Sequence, residues 1–348
     1  MRTGGDQTRI LIVRTSAVGD VLCALPSLEA IRAAYPKARI GFLVEDRARD
    51  LISGHPAVDR VHLFPRKRWS RDALYPSRWR ALWAEMRGFV RQMRDERYDV
   101  VVDLQRNLKG GVLSLLSGAE QRVGLARGWS REGGYLFSHV RVAPPPEAKH
   151  FADYFHAVVA ALGASYDEPV FRLPPSPLSG PRTERFLRES RLRDYAVLHP
   201  GTSDFGRAKR WPAERFAELA RRIRLELDLP CVVAWGPGER ETAEEVVRRS
   251  DGGAILAFET RSILDLAELI RGARVFVGCD SGPLHLSVAV KTPCVGLYGP
   301  KDPAFCGPYR FDASRVVRPP EGIGPTSGIS VAAAYRATKS LIASERVR

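Results

Sequence analysis

The sequence predicts an α/β fold with two mostly parallel sheets in tandem. Three observations predict it. Short apolar runs alternate with helix-length segments along most of the chain. A proline-rich stretch near the middle interrupts that alternation. The length, 348 residues, accommodates two domains of ordinary size.

In the first half, RILIVR (Arg9–Arg14) reads as a buried strand. A helix follows to about Ala34, with Leu22, Leu25, Leu28 and Ile31 recurring near the helical period. Pro26 is expected early in that helix, where proline costs least. ARIGFLVE (Ala38–Glu45) is the next strand, followed by a short helix near Asp46–Ile52 and by VDRVHLF (Val58–Phe64). Between Trp79 and Arg97 the residues Trp79, Leu82, Trp83, Met86, Phe89, Val90 and Met93 mark one helix face. YDVVVDLQ (Tyr98–Gln105), a helix from about Lys109 to Ser117, and QRVGL (Gln121–Leu125) continue the βαβ pattern.

Periodicity fades between about Gly163 and Arg182, through ASYDEP and LPPSPLSGP. The expected organisation is a first domain over 1–170, a linker over 171–190 and a second domain over 191–328. A closing helix at 329–348 is placed to fold back on the first domain. The second series runs through YAVLHPG (Tyr195–Gly201), a helix over Pro212–Leu227, and PCVVAWGPG (Pro230–Gly238). It continues with helices over Glu239–Arg249 and Ile263–Arg271, the strand and tight loop VFVGCDSGP (Val275–Pro283), and a helix over Leu284–Val290. PCVGLYGP (Pro293–Pro300) is the last clear strand, and Ser330–Ala343 is the closing helix.

A hydrophobic fraction of 44% with 27% charged residues excludes a disordered chain. Lys plus Arg number 54 against 40 Asp plus Glu, a formal charge of +14. Such a surplus points to phosphorylated ligands, anionic headgroups or nucleic acid. No apolar run reaches the ~20 residues that span a bilayer, and the start shows no signal-peptide core. Cys23, Cys231, Cys279, Cys294 and Cys306 are odd in number, widely spaced and form no C-x-x-C. A disulfide framework or structural zinc is not expected, and a reduced cytoplasmic setting is.

Two Rossmann-like domains place ligands beyond the carboxyl ends of their strands, by default in the cleft between the domains. TSAVGD (Thr15–Asp20) stands where a dinucleotide site would carry GxGxxG, which disfavours NAD or FAD. Asp20 in that turn is either a first-turn aspartate meeting free N–H groups or a general base. In CDSGPLHLSVA (Cys279–Ala289), Ser281, Gly282 and Pro283 open a helix whose start attracts a diphosphate. Asp280 there orients a sugar hydroxyl or caps the loop. His285, one turn on, is a hydrogen-bonded core residue or a catalyst. In HPGTSDFGRAKRWP (His199–Pro212), Thr202 and Ser203 make a small polar loop, and Lys209 or Arg210 offers charge to a phosphate. Glu239 in WGPGERE binds ligand hydroxyls or simply begins a helix. Arg66–Arg97 carries ten basic residues against four acidic ones, with Trp69, Tyr75, Trp79 and Trp83 interleaved. That composition suits nucleic acid, an anionic lipid surface or a phosphosugar acceptor.

Taken in order, RILIVRTSAVGDVLCALPSLEAIRAAYP, YDVVVDLQRNLKG, HPGTSDFGRAKRWPAERFAELA, VVAWGPGERE and FVGCDSGPLHLSVAVKTPCVGLYGPKDP resemble glycosyltransferase family 9. These are the ADP-heptose:lipopolysaccharide heptosyltransferases. The resemblance implies the GT-B fold, two Rossmann-like domains with mostly parallel sheets facing a central cleft. It also implies inverting transfer of a heptose from ADP-heptose onto the inner core of lipopolysaccharide. On that resemblance Asp20 is the catalytic base and Lys209 the catalytic, diphosphate-contacting lysine. Thr202, Ser203, Lys209, Glu239, Asp280, Ser281, Gly282, Pro283 and His285 bind the donor. Arg14, Arg66, Lys67, Arg68 and Arg122 are expected to hold an anionic acceptor. No metal and no cofactor beyond the donor ADP-heptose are expected. The expected acceptor is lipid A–Kdo or a partly heptosylated core, met at the inner face of the cytoplasmic membrane by a cytoplasmic, peripheral protein, without nucleic acid. Rival readings are a GT-B transferase or epimerase using another nucleotide sugar, a nicotinamide oxidoreductase, and a basic nucleic-acid or membrane-surface binding protein.

Overall fold

The computed structural model describes residues 8–202 and 208–345. The chain divides into two compact units, one ending at Pro175 and the other beginning at Ser176.

The first unit is a parallel sheet of β1 (Arg9–Val13), β2 (Arg39–Glu45), β3 (Arg60–Phe64), β4 (Val100–Asp103), β5 (Gln121–Leu125) and β6 (Val140–Val142). Its spatial order is β3-β2-β1-β4-β5-β6. The helices are α1 (Val18–Ala34), α2 (Arg66–Asp72), α3 (Trp79–Asp95), α4 (Leu108–Leu116) and α5 (Phe151–Ala160). Strand side chains alternate between faces, yet Ile10, Leu11, Ile12 and Val13 are all buried, because helices cover both sides. Leu11 and Val13 join Leu43, Val101, Met93 of α3 and Leu113 of α4 in one cluster. Helix α5 packs on α1.

Pro26 is not in the first turn of α1. The helix begins at Val18, so Pro26 is its ninth residue and takes the N–H that Leu22 would have accepted. An acidic residue in the first turn and a buried face that is apolar apart from Ser27 carry the helix across that gap.

The second unit repeats the plan with β7 (Ala196–His199), β8 (Cys231–Val233), β9 (Ala254–Leu256), β10 (Val275–Cys279), β11 (Cys294–Leu297) and β12 (Ser314–Val317). Their order, β12-β11-β10-β7-β8-β9, is that of the first sheet. Helices α6 (Ser179–Glu189), α7 (Ala213–Leu227), α8 (Arg240–Arg249), α9 (Ile263–Arg271), α10 (Gly282–Ala289), α11 (Pro303–Cys306) and α12 (Val331–Glu345) complete it.

Much of the stretch expected as linker, 171–190, is helix α6. It packs on α9, with Ser179 Oγ donating to Asp265 at 2.7 Å and Arg182 paired to the same carboxylate at 2.6 Å. Prolines at its start hide this helix, whose Ser179 and Thr183 are buried one turn apart. The closing helix α12 packs on α7 and on strands β10, β11 and β12, its own unit's sheet. Strands β6, β9 and β12 have three or four residues each, too short for an apolar run to announce them.

Close packing around β2 can be tested at one glycine. A Cβ on Gly41 would come within 2.0 Å of the Tyr98 hydroxyl, which also meets His62 Nε2 at 2.8 Å. Gly41→Ala is therefore expected to cost about 1–3 kcal/mol in urea melts, as overpacked cores do. Wild-type stability for that variant would show that the strand has room to shift.

Candidate active site

Each sheet reverses its direction of winding beside the first strand of its unit, between β1 and β4 and between β7 and β10. Open parallel sheets bind ligands at that reversal, beyond the carboxyl ends of the strands. The candidate residues divide between these two places.

At the first, β1 ends and Arg14 follows. Its Nη1 donates to the carbonyl oxygens of Leu104 (2.7 Å) and Gln105 (3.4 Å), just past β4. The guanidinium stands 5.0 Å over the Phe155 ring of α5. Nη2 pairs with Asp20 Oδ2 at 2.7 Å, the arginine side chain being 7% exposed and the aspartate 35%. Asp20 is the third residue of α1, and the same oxygen accepts the Ala17 N–H at 2.8 Å. The first-turn role and an available carboxylate thus coexist. Arg14, expected at the acceptor, is instead buried: it ties Asp20 to the end of β4 and presents almost no surface to a ligand.

Asp103, the last residue of β4, lies beneath. Its Oδ1 accepts the N–H groups of Gln105 (2.8 Å) and Arg106 (3.4 Å). Burial pushes its pKa up to about 6, against those two donors and the charge of Arg14. Burial likewise pulls the Arg106 guanidinium down to about 10, with Arg131 and Arg14 adding repulsion. Gln105 Oε1 accepts both the N–H and the hydroxyl of Thr15. Beside this turn, Lys109 Nζ lies 2.7 Å from Glu45 Oε1 and 3.4 Å from Ser16 Oγ. Burial raises the Glu45 carboxyl, but Lys109 and Arg66 together pull it below its ordinary range.

The other expected acceptor residues separate. Arg66 opens α2 and pairs with Glu45 at 3.1 Å, so it borders this turn. Lys67 is exposed, and Arg68 pairs with Glu85 of α3 at 2.7 Å. Arg122 does not join them. It is the second residue of β5, toward the amino end of the sheet, and donates to Phe137 and Ala119 carbonyls and contacts His139 Nε2 at 2.7 Å. Its donors bind its own unit's loops.

At the second reversal, Lys209 Nζ meets Asp280 Oδ2 at 2.5 Å and the Asp280 carbonyl at 3.5 Å. Arg210 donates to the Thr202 hydroxyl (3.1 Å) and carbonyl (2.7 Å). The Trp211 N–H reaches Cys279 Sγ at 3.4 Å, and the buried indole donates to the Ile329 carbonyl. These contacts lay the AKRWP segment along the ends of β7 and β10. Ser281 is the N-cap of α10, but its hydroxyl donates to the Cys279 carbonyl at 3.2 Å and leaves the helix start without a side-chain cap. Gly282 and Pro283 are the first two helical residues, and His285 is buried in the first turn and a half. An uncapped helix start beside a lysine suits an anionic ligand. Ser203, the remaining donor candidate, lies outside the described residues.

Glu239 precedes α8 and accepts the Gly236 N–H at 2.9 Å. It lies against Gly201, where a Cβ would come within 2.1 Å of its carboxyl carbon, and 3.5 Å from His199 Nε2. His199 Nδ1 faces the Gly201 carbonyl at 3.1 Å. Burial lowers the His199 pKa, while Glu239 and that carbonyl oppose the shift. His199, Asp103, Gln105, Arg106, Lys109 and Glu45 were not singled out from the sequence. Their position at or just past strand ends in HPG, VVDLQRNLK and FLVE is the signal that could have found them. Among the described residues, no three His, Cys, Asp or Glu side chains gather as a metal site.

The Asp103 titration has a measurable consequence. Unfolded aspartate titrates near ~3.9, so between about pH 4 and 6 the folded chain keeps a proton that the unfolded chain has released. Stability contributed at Asp103 therefore falls as pH rises through that window. Relative to Asp103→Asn, wild type is expected to lose about 3 kcal/mol across it, read from urea melts at each pH. A difference independent of pH would mean that Asp103 is ionised throughout.

Residues 86–327 match the family model of glycosyltransferase family 9 (heptosyltransferase). A lipopolysaccharide heptosyltransferase 1 of Pseudomonas aeruginosa is 31% identical over 86% of this chain and 81% of its own. The solved heptosyltransferase WaaC of Escherichia coli with ADP has a TM-score of 0.80 at 25% identity, covering 96% of this chain and all (100%) of that one. A family 9 glycosyltransferase of Veillonella parvula shares the fold, with a TM-score of 0.83 at 22% identity over 98% of this chain and 99% of that one. The two doubly wound units are thus those of the GT-B fold, and the chain belongs to glycosyltransferase family 9, the heptosyltransferases.

Proposed function

We propose that this protein is an inverting heptosyltransferase of lipopolysaccharide core synthesis. It moves a heptose from ADP-heptose onto the inner core, the acceptor being lipid A–Kdo or a partly heptosylated core. The observation that carries the reading is family membership joined to the Lys209–Asp280 pair at an uncapped helix start. Relatives named lipopolysaccharide heptosyltransferase 1 in P. aeruginosa and E. coli support the sugar and the acceptor class.

The second unit binds the nucleotide sugar. Lys209 and the start of α10 stabilise the charge that grows on the departing diphosphate, where preorganised donors act most strongly. An ammonium has three donors, so Lys209 can meet the diphosphate while keeping a contact to Asp280. Glu239 orients donor hydroxyls. In the first unit, Asp20 accepts the proton of the acceptor hydroxyl as that oxygen attacks the anomeric carbon. The bond from that carbon to the diphosphate breaks, ADP leaves, and attack from the opposite face inverts the configuration. Arg14 holds the carboxylate in place, and Arg66 and Lys67 border the acceptor. The positive charge at the diphosphate comes from the protein, so the reaction needs no metal. The protein works in the cytoplasm at the inner face of the membrane that carries its acceptor, without nucleic acid.

Purified protein with ADP-heptose, EDTA and either heptose-free lipid A–Kdo or a heptosylated core is expected to release ADP and add one heptose mass to one acceptor. Asp20→Asn is expected to lower kcat by about 10²–10⁴-fold, the usual worth of a general base. No mass gain on either acceptor contradicts the function. Loss of transfer in EDTA contradicts the metal-free mechanism, and undiminished turnover by Asp20→Asn removes it as base.

A further inference from the structure

Helix α3 carries an apolar stripe longer than the core it covers. Met93 at its carboxyl end is buried in the first unit's cluster, with Phe89 and Val90 packed against it. Toward the amino end the same stripe leaves the core: Trp83 is 62% exposed and Trp79 50%. The turn before α3 adds Leu74 at 75% and Tyr75 at 53%. Four large apolar side chains thus stand in solvent within ten residues. The Trp79 Nε1 donates to the Ala73 carbonyl at 2.9 Å, within the same hairpin.

The charge around them is predominantly positive. Residues 66–87 hold seven basic side chains against two acidic ones. Both acidic groups are neutralised locally, Asp72 by Arg78 at 2.7 Å and Glu85 by Arg68 at 2.7 Å. Arg80 and Arg87 are exposed on α3 itself. A groove of about 560 Å³ is lined by Trp83, Met86, Val90 and Leu116 together with three arginines, Arg87, Arg91 and Arg94, and one acid, Asp95.

We infer that the α2–α3 hairpin is a membrane-docking arm that seats on an anionic lipid bilayer. Tryptophan and tyrosine settle at headgroup depth, and leucine and the Trp83 groove receive acyl chain. Arginines on the same face reach lipid phosphates through their long stems. Leu74, the most exposed of the four, fits acyl chain and offers a nucleic-acid base nothing to stack on, which favours lipid over single-stranded RNA. The inference deepens the proposed function, resting on its lipid-anchored acceptor, and names the surface that brings the enzyme to it.

The test uses the full chain with three probes: vesicles with about one-third phosphatidylglycerol, neutral phosphatidylcholine vesicles and a single-stranded RNA. Wild type is expected to co-sediment with the anionic vesicles only. Leu74→Ser with Trp83→Ser, and separately Arg80→Gln with Arg87→Gln, are expected to weaken that binding at least about tenfold. Both pairs are solvent-exposed, and circular dichroism checks that they fold. Transfer to a deacylated, water-soluble acceptor is expected to be unchanged in both, while KM for acceptor embedded in vesicles rises. Vesicle binding unaffected by either pair, or binding of RNA in place of vesicles, overturns the arm. Absence of transfer to the soluble acceptor by wild type overturns the proposed function instead, and leaves the vesicle result to stand or fall alone.

Discussion

In a parallel sheet covered on both faces, the central strands must be apolar along their length, and polar chemistry can begin only where a strand ends. Both sheets here obey that constraint at the same place. β1 is buried from Ile10 to Val13 and gives way to Arg14 and Thr15; β10 is buried throughout and gives way to Asp280 and Ser281. Because the winding reverses beside β1 and β7, the loops on either side of those strands diverge at the polar ends, which is where open parallel sheets bind ligands. In each unit the candidate residues hang on its own point.

The two points are electrostatically different. At the first, a buried guanidinium has several acceptors around it, and only one, Asp20, is substantially exposed. Removing charge from such a centre leaves its partners uncompensated, and a buried Arg14 is better placed to hold Asp20 than to meet an acceptor. At the second, the groups proposed to face the diphosphate are a partly exposed lysine and a helix start without a side-chain cap. A fixed carboxylate and an adaptable cation match the two demands of the proposed transfer, a proton acceptor that must be held and a leaving group whose charge must be met.

Much of this was legible in the sequence. Continuous apolar runs such as RILIVR and VFVGC announce central strands, and TSAVGD and CDSGP mark their ends. Asp20, Lys209, Asp280 and Ser281 were readable because turn chemistry and family motifs coincide there. Pairing was not readable. Nothing in the sequence near Arg14 shows that its partners are Leu104, Gln105 and Phe155, about ninety or more residues away. The same holds for Arg122, whose basic character suggested a ligand but whose position near the amino end of β5 commits it to loop carbonyls. Prolines before helix α6 obscure it, and leucine spacing alone does not show that α1 begins at Val18, eight residues ahead of Pro26. The α3 stripe was readable as an ordinary buried face; only the structure shows that half of it lacks a core to cover.

The division of labour between the two points is best tested by binding of ADP, measured calorimetrically on Asp20→Asn and Lys209→Ala side by side. A base that belongs to the acceptor step leaves ADP affinity unchanged in Asp20→Asn, while loss of the diphosphate contact weakens it about tenfold or more in Lys209→Ala. Unchanged ADP affinity in Lys209→Ala, or an equal loss in Asp20→Asn, would contradict the assignment of donor and base to separate clusters.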